Sequence, residues 1–196
     1  SKLNIKFAVI TSVDRDDLPD GGAGHWVQTI LAIRKHCPNI KIEALIPDFQ
    51  GNLAHIEQVC EAQPDVLAHN LETVEFLQRQ VRPQCRYEWS LRTIETAAKS
   101  KGVIAKSGLM LGLGEKKQEV IQSFKDLVGV GCQILSLGQY LRPSPAHTEV
   151  VEFIHPELFA EYKEIGESLG LLHVEAGPLV RSSYLADQQA RAAGLD

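Results

Sequence analysis

The 196-residue chain carries 44% hydrophobic and 23% charged side chains, enough apolar mass for one buried core and the balance of an ordinary globular domain. Its formal charge of −5, without any Lys/Arg block, leaves no electrostatic footprint for nucleic acid, and no apolar run nears the ~20 residues of a membrane-spanning helix. Nucleic-acid and membrane partners are therefore not expected, and the opening SKLNIKF, which lacks a signal-peptide layout, predicts a cytoplasmic protein, or one of an organelle matrix or stroma in a eukaryote.

Lys6 to Val13 reads as a buried strand, apolar and β-branched until its polar C-terminal end. After the loop DRDDLPDGG, Trp26, Ile30 and Ile33 recur at helical spacing between Gly22 and Cys37. Lys41 to Pro47 is a second strand, followed by a helix through Ile56, Val59 and Cys60. Val66 to Asn70 is a third, short strand; Thr73 to Val81 reads as a helix with Phe76 and Leu77 facing inward, ended by Pro83. Tyr87 to Ser90 is predicted as a brief extended piece before a helix from Leu91 to Ser100. Ala105 to Glu115, AKSGLMLGLGE, is a strand that ends in a glycine-rich turn and opens into a helix near Lys116. That helix places Val120, Ile121, Phe124, Leu127 and Val128 on one face. Gln133 to Leu141 is a further strand, Pro156 to Leu169 a last helix, LLHVEAG a short final strand, and RSSYLADQQARAAG a polar tail.

Five main strands alternating with helices, at roughly 25 to 40 residues per unit, predict βαβ units and a parallel α/β sheet. Polar residues gather at the C-terminal ends of the strands: Thr11-Ser12 and Asp14, Asp48, His69-Asn70 with Glu72, Ser107, and Gln139-Tyr140. That is where a β/α barrel collects its ligand groups, and too few strands are present for the eight-stranded kind, so a partial barrel is expected. An open doubly wound sheet would concentrate ligands at the same ends and remains the alternative. One domain covers 1–196, with the barrel elements in 1–150 and the C-terminal helix, short strand and tail in 151–196.

Within this frame several residues could carry chemistry. Gly108, Gly112 and Gly114 leave room either for a ligand or simply for a tight turn. Asp14, Asp16, Asp17 and Asp20 could ligate a hard cation, or cap the following helix, whose Gly21-Gly22 start could also offer amides to a carboxylate. Lys106 could form a Schiff base, as in a barrel lyase or aldolase, or pair with a carboxylate. His25, His155 and His173 read as helix-surface, loop and strand residues, and Ser182 and Ser183 as tail hydroxyls. Cys37, Cys60, Cys85 and Cys132 are too scattered for a metal-ligand spacing and are expected to be free thiols.

The ordered set TSVDRDDLPDGGA, PDFQGN, AHNLETV, YEWSLR, KSGLMLGLGE, LGQYLRPS and GPLVRSSY resembles the lipoyl synthase family of radical S-adenosylmethionine enzymes, from Thr11 to Tyr184. The resemblance implies a partial (β/α)6-type radical SAM barrel, here without its first strand and helix. It implies sulfur insertion at C6 and C8 of an octanoyl-lysine on a lipoyl carrier protein or domain, with S-adenosylmethionine, two [4Fe-4S] clusters and a reducing electron donor. By the same resemblance Gly108, Met110, Gly112 and Glu115 match a G-x-I-x-G-x-x-E element along the cofactor, with Met110 at the Ile position. Gly21 and Gly22 match the element that receives the methionine amino group, whose usual Glu is Ala23 here. Asn70 and Glu72 would face the ribose and amino-acid portion, Ser90 and Arg92 the carboxylate and ribose, and Gln139, Tyr140 and Leu141 the adenine. Ser183, with Ser182 as the alternative, would be the serine ligand of the auxiliary cluster. The family's two cysteine triplets have no counterpart in these residues, so the chain corresponds to a C-terminal portion, or to a fragment retaining the barrel as a non-catalytic or carrier-binding module. These 196 residues alone are expected neither to hold a [4Fe-4S] cluster nor to cleave S-adenosylmethionine. Anaerobic reconstitution with iron and sulfide checks this, and cluster absorbance in the product would refute it.

Overall fold

Strand and helix alternate throughout residues 5–195, the part of the chain described by the computed structural model. The strands are β1 (Phe7–Thr11), β2 (Lys41–Leu45), β3 (Val66–Ala68), β4 (Ile104–Leu111), β5 (Ile134–Gln139) and β6 (His173–Gly177). The helices are α1 (Ala23–His36), α2 (Leu53–Glu61), α3 (Gln78–Val81), α4 (Tyr87–Lys99), α5 (Lys117–Gly129), α6 (Pro156–Leu169) and α7 (Ala186–Ala192). All six strands pair in parallel, in the order of the chain. A doubly wound sheet reverses its strand order partway, so this order removes that alternative and leaves a sheet that curls in one direction. The pairing is also staggered: Ile104 lies opposite Val66, whereas Ile134 lies opposite Lys106, two residues further along β4. Such stagger accompanies the strand tilt of a barrel. Among the described residues β1 and β6 do not pair, so the barrel is partial.

Central strands are buried on both faces, as parallel strands under crossover helices must be. Every residue of β5 is buried, and all of β4 except Met110. Outside the sheet one apolar cluster joins Ile42, Leu67, Ala105 and Leu137 to Ile30, Ile56, Ile94, Phe124 and Phe159 on the helices. Inside, the first residues of β3, β4 and β5 (Val66, Ile104, Ile134) pack with Ala190 of α7, flanked by Phe7, Ala193 and Leu195. Helix α7 therefore floors the N-terminal end of the barrel, reaching both β1 and β6.

Three expectations are corrected here. The polar tail contains α7, whose buried positions are Ala186, Gln189 and Ala190, too small and polar to write a hydrophobic stripe. Tyr87 to Ser90 is helical, because the Trp89 and Ser90 amides donate to the Arg86 carbonyl and start α4 there. Phe76 is 81% exposed: the segment opens as a 3-10 turn, Glu75–Leu77, and Val74 and Leu77 take the inward positions. LLHVEAG does supply a sixth strand, beyond the five main ones. Phe124 is fully buried between sheet and α6, edge-on to Tyr162 at 6.0 Å. Phe124→Ala is expected to cost about 3–5 kcal/mol in denaturant unfolding.

Candidate functional site

At the C-terminal end of β3 the chain turns through His69, Asn70, Leu71 and Glu72. Burial pushes the His69 imidazole down to about 4, against the opposing pull of its bond to Ile46. It is therefore neutral at pH 7: Nδ1–H donates to the Ile46 carbonyl at 2.9 Å, leaving Nε2 to accept from the Ser90 hydroxyl at 3.0 Å. Those two bonds tie β2, β3 and α4 together beneath the rim. Glu72 holds a φ of +69° because its N–H donates to Gly108 and its carbonyl accepts from Met110, extending the β3–β4 ladder past the strand's end. Burial raises the Glu72 carboxyl above its ordinary range, with Arg82 and the Asn70 amide pulling it back.

Asn70 is the hub. Its carbonyl accepts from Arg82 at 3.1 Å, and its amide nitrogen donates to Glu72 Oε1 at 3.1 Å and to Ser182 Oγ at 2.9 Å. Gly108 makes this possible, since a Cβ there would lie 2.7 Å from Asn70 Oδ1. At Gly112, φ is +101° and the Cβ position is filled by the Gln139 amide and the Glu152 carbonyl. The Glu115 carboxylate clamps this turn, accepting from the Gly112 and Leu113 amides at 2.6 and 2.9 Å. Gln139 donates to the Tyr140 and Glu152 carbonyls and accepts from the Ile154 amide, which draws the loop before α6 over the end of β5.

The C-terminal tail then crosses the barrel. Lys106 and Glu43, both buried, form an ion pair at 2.9 Å, and Lys106 Nζ also donates to the Ser182 carbonyl at 2.7 Å. With the ammonium paired to the Glu43 carboxylate and donating to the Ser182 carbonyl, Lys106 is a paired structural lysine and the lyase reading is not favoured. Burial raises the Glu43 carboxyl, and the Lys106 charge opposes that rise.

A cavity of about 230 Å³ opens at this mouth. Of the predicted residues it brings together Asn70, Glu72, Gly108, Met110, Gln139, Leu141 and Ser182, and it adds Arg181. Gly112 and Tyr140 stand behind that wall; the Tyr140 hydroxyl donates to Thr148 at 2.8 Å. Ser90 is turned to His69 and Arg92 is exposed on α4, so neither reaches the cavity. Gly21 and Gly22 open α1, where the Asp20 carboxylate accepts from the Gly22 and Gly24 amides, both at 2.9 Å, bonds that also lower its pKa. Asp17 pairs with Arg15. Ser183 is exposed, next to the inward Ser182. Glu43 and Gln189 escaped sequence reasoning. Only Glu43 left a signal, a carboxylate between Ile42 and Ala44 in an apolar strand.

Among the described residues no group of three or more His, Cys, Asp or Glu is placed to hold a metal ion. The cysteines fit the role poorly as well, because iron–sulfur ligation needs thiolates. Burial pushes the Cys85 thiol up to about 11, Cys132 up to about 12, and Cys60 upward. The side chains described here therefore do not fit a [4Fe-4S] cluster. The cavity, with an amide, a carboxylate and a guanidinium at a half-apolar wall, does suit a polar zwitterionic cofactor.

Residues 2–127 match the family model of the radical SAM superfamily. The chain is 52% identical over 187 residues to a lipoyl synthase of Flavobacterium johnsoniae, covering 95% of this chain and 65% of that relative. It is 50% identical over 189 residues to the Bacteroides thetaiotaomicron lipoyl synthase, covering 96% of this chain and 67% of that one. A mitochondrial lipoyl synthase of Nematostella vectensis is 51% identical over 187 residues, with 95% and 64% covered. The chain thus spans about two thirds of the length of these relatives, just under that share for the first. Among solved structures, a domain of a pyruvate-formate lyase-activating enzyme from Bacteroides vulgatus superposes with a TM-score of 0.58 at 11% identity, over 87% of this chain and 98% of that one. A radical S-adenosylmethionine methyltransferase from Kitasatospora setae gives 0.55 at 10% identity, over 82% of this chain and 31% of that one. Both likenesses concern the fold alone.

The His69 shift predicts a pH dependence. Between about pH 6.5 and 4 the unfolded chain takes up a proton at this position and the folded one does not, so stability falls as pH is lowered through that window and is fully present above it. The contribution is on the order of 3 kcal/mol. Denaturant unfolding at pH 7.5 and 4.5 is expected to lose this amount more in the parent than in His69→Gln, whose amide does not titrate.

Proposed function

The chain belongs to the radical S-adenosylmethionine superfamily and, within it, to the lipoyl synthases, and on that premise we propose that it forms the barrel of an enzyme inserting two sulfur atoms into a protein-bound octanoyl chain. The observation that carries this reading is about 50% identity across about 95% of the chain to lipoyl synthases. The substrate is an octanoyl-lysine on a lipoyl carrier protein or domain, and the sulfurs enter at C6 and C8. When bound, S-adenosylmethionine supplies the radical chemistry that an alkyl chain demands, because such C–H bonds offer no acidic proton to a general base.

This chain's residues bind, orient and exclude water. Asn70 and Glu72 face the ribose and amino-acid portion, Gly108 and Met110 lie along the cofactor, and Gln139, Tyr140 and Leu141 flank the adenine. Gly112 and Glu115 hold the turn that carries this wall. Gly21 and Gly22 offer backbone carbonyls toward the amino group. Ser90 acts through His69 by fixing the rim, and Arg92, exposed on α4, is assigned to the cofactor carboxylate by family resemblance alone. The superfamily implies a [4Fe-4S] cluster, and the lipoyl synthase reading adds a second, auxiliary one whose sulfur is donated. Neither finds its thiolates among these residues. Ser183 is the preferred serine ligand of the auxiliary cluster and Ser182 the alternative: an oxygen is a harder and weaker ligand to iron than a thiolate, suited to release as the cluster is dismantled. A reducing electron donor completes the system. The setting is a cytoplasm or an organelle matrix, in keeping with described residues that contain no helix long and apolar enough to cross a membrane.

The test uses the full-length protein, reconstituted anaerobically with iron and sulfide and supplied with reductant, S-adenosylmethionine and an octanoylated carrier domain. Conversion of octanoyl-lysine to lipoyl-lysine by mass spectrometry is expected, and no conversion rejects the function. Ser183→Cys is expected to keep its iron and to lower turnover at least tenfold; undiminished turnover removes Ser183 from its role.

A further inference from the structure

The tail buries Val180 and half-buries Ser182 while exposing Arg181, Ser183 and Tyr184. It passes the barrel mouth, and two inward side chains grip its backbone. Lys106 Nζ holds the Ser182 carbonyl at 2.7 Å, and Gln189 Nε2 holds the Tyr184 carbonyl while Gln189 Oε1 accepts from Ser136 at 3.2 Å. The Val180 carbonyl lies where a Cβ on Gly138 would stand. Ser182 is turned inward to Asn70, and Ser183, between the two gripped carbonyls, is exposed.

The Lys106–Glu43 pair is the costly part of this arrangement. Lys106 is 1% and Glu43 0% exposed, and a buried ion pair is often no more stabilising than two apolar side chains of the same volume. What apolar side chains cannot do is donate a directed, charge-assisted hydrogen bond to a backbone carbonyl arriving from 76 residues away. A carbonyl carried into the barrel without such a donor would be left unsatisfied, at the full cost of its desolvation.

We propose that Lys106, held in place by Glu43, is a positioning residue: it latches the Ser182 carbonyl inside the barrel and so fixes the direction in which Ser183 is presented at the mouth. The significance of that direction rests on the reading of Ser183 as an iron ligand; the latch itself does not.

Lys106→Met alone would strand Glu43, so the variant is Glu43→Leu with Lys106→Met in the full-length protein, which removes both charges together. Hydrogen exchange by mass spectrometry is expected to quicken at least tenfold in peptides covering Val180 to Tyr184, with β4 and β5 peptides within twofold of the parent. The Tyr184 amide, bonded to Arg181 at 2.9 Å, is the sensitive probe. Unchanged tail exchange in a folded double variant overturns the latch. Ser182→Ala keeps the carbonyl and is expected to change tail exchange less than threefold; a change equal to that of the double variant would transfer the hold to the Asn70 contact and also overturn it. A measurement that needs no variant is a through-hydrogen-bond NMR coupling from the Lys106 ammonium to the Ser182 carbonyl carbon, whose absence overturns the proposal. These readouts involve neither cluster nor turnover, so the latch can stand while the serine assignment falls, and the reverse.

Discussion

An ammonium group enclosed by a carboxylate and one carbonyl sets the character of the barrel interior. Below Lys106 and Glu43 the lumen is closed by Val66, Ile104, Ile134 and Ala190; above them it becomes polar and opens to solvent. The charge pair is the boundary between these layers. It can exist there because β2 and β4 flank β3 and their side chains project into the same lumen. Once there, it requires a further acceptor, and the tail supplies one. Floor, pair and tail are thus one construction, with α7 closing the bottom and its Gln189 reaching up to grip the same tail.

The glycines of the mouth serve this construction more directly than they serve a ligand. Gly108 yields its side-chain space to Asn70, Gly112 to Gln139 and Glu152, and Gly138 to Val180. The cavity wall is made of polar groups laid over glycines, and the glycines set how closely those groups approach. Glu115 and His69 act one layer further out, satisfying backbone amides and a buried carbonyl so that the rim keeps its shape without a ligand.

Much of this was legible in the residues. Alternating apolar runs and amphipathic stripes located all six strands and most of the helices within a few residues, because strand burial and helix packing write periodic patterns. The ordered motifs singled out Asn70, Glu72, Gly108, Met110, Gln139 and Leu141, which the fold places around one cavity. The errors share one cause: Tyr87 to Ser90, Phe76 and α7 are short segments whose conformation is set by a capping carbonyl, by which neighbour reaches the core first, or by alanines too small to register.

By itself the sequence determined the parallel α/β class, the family and the end of the sheet at which polar groups gather around the cavity, since these follow from local periodicity and from residue identities in order. Only the tertiary structure decided that the strands run in unbroken order as a partial barrel, that Lys106 is a paired structural residue, that Ser90 and Arg92 stand away from the cavity, and that Ser182 turns inward while Ser183 faces out. Each of these depends on groups separated by tens of residues and joined by hydrogen bonds or burial, a relation that no spacing along the chain records.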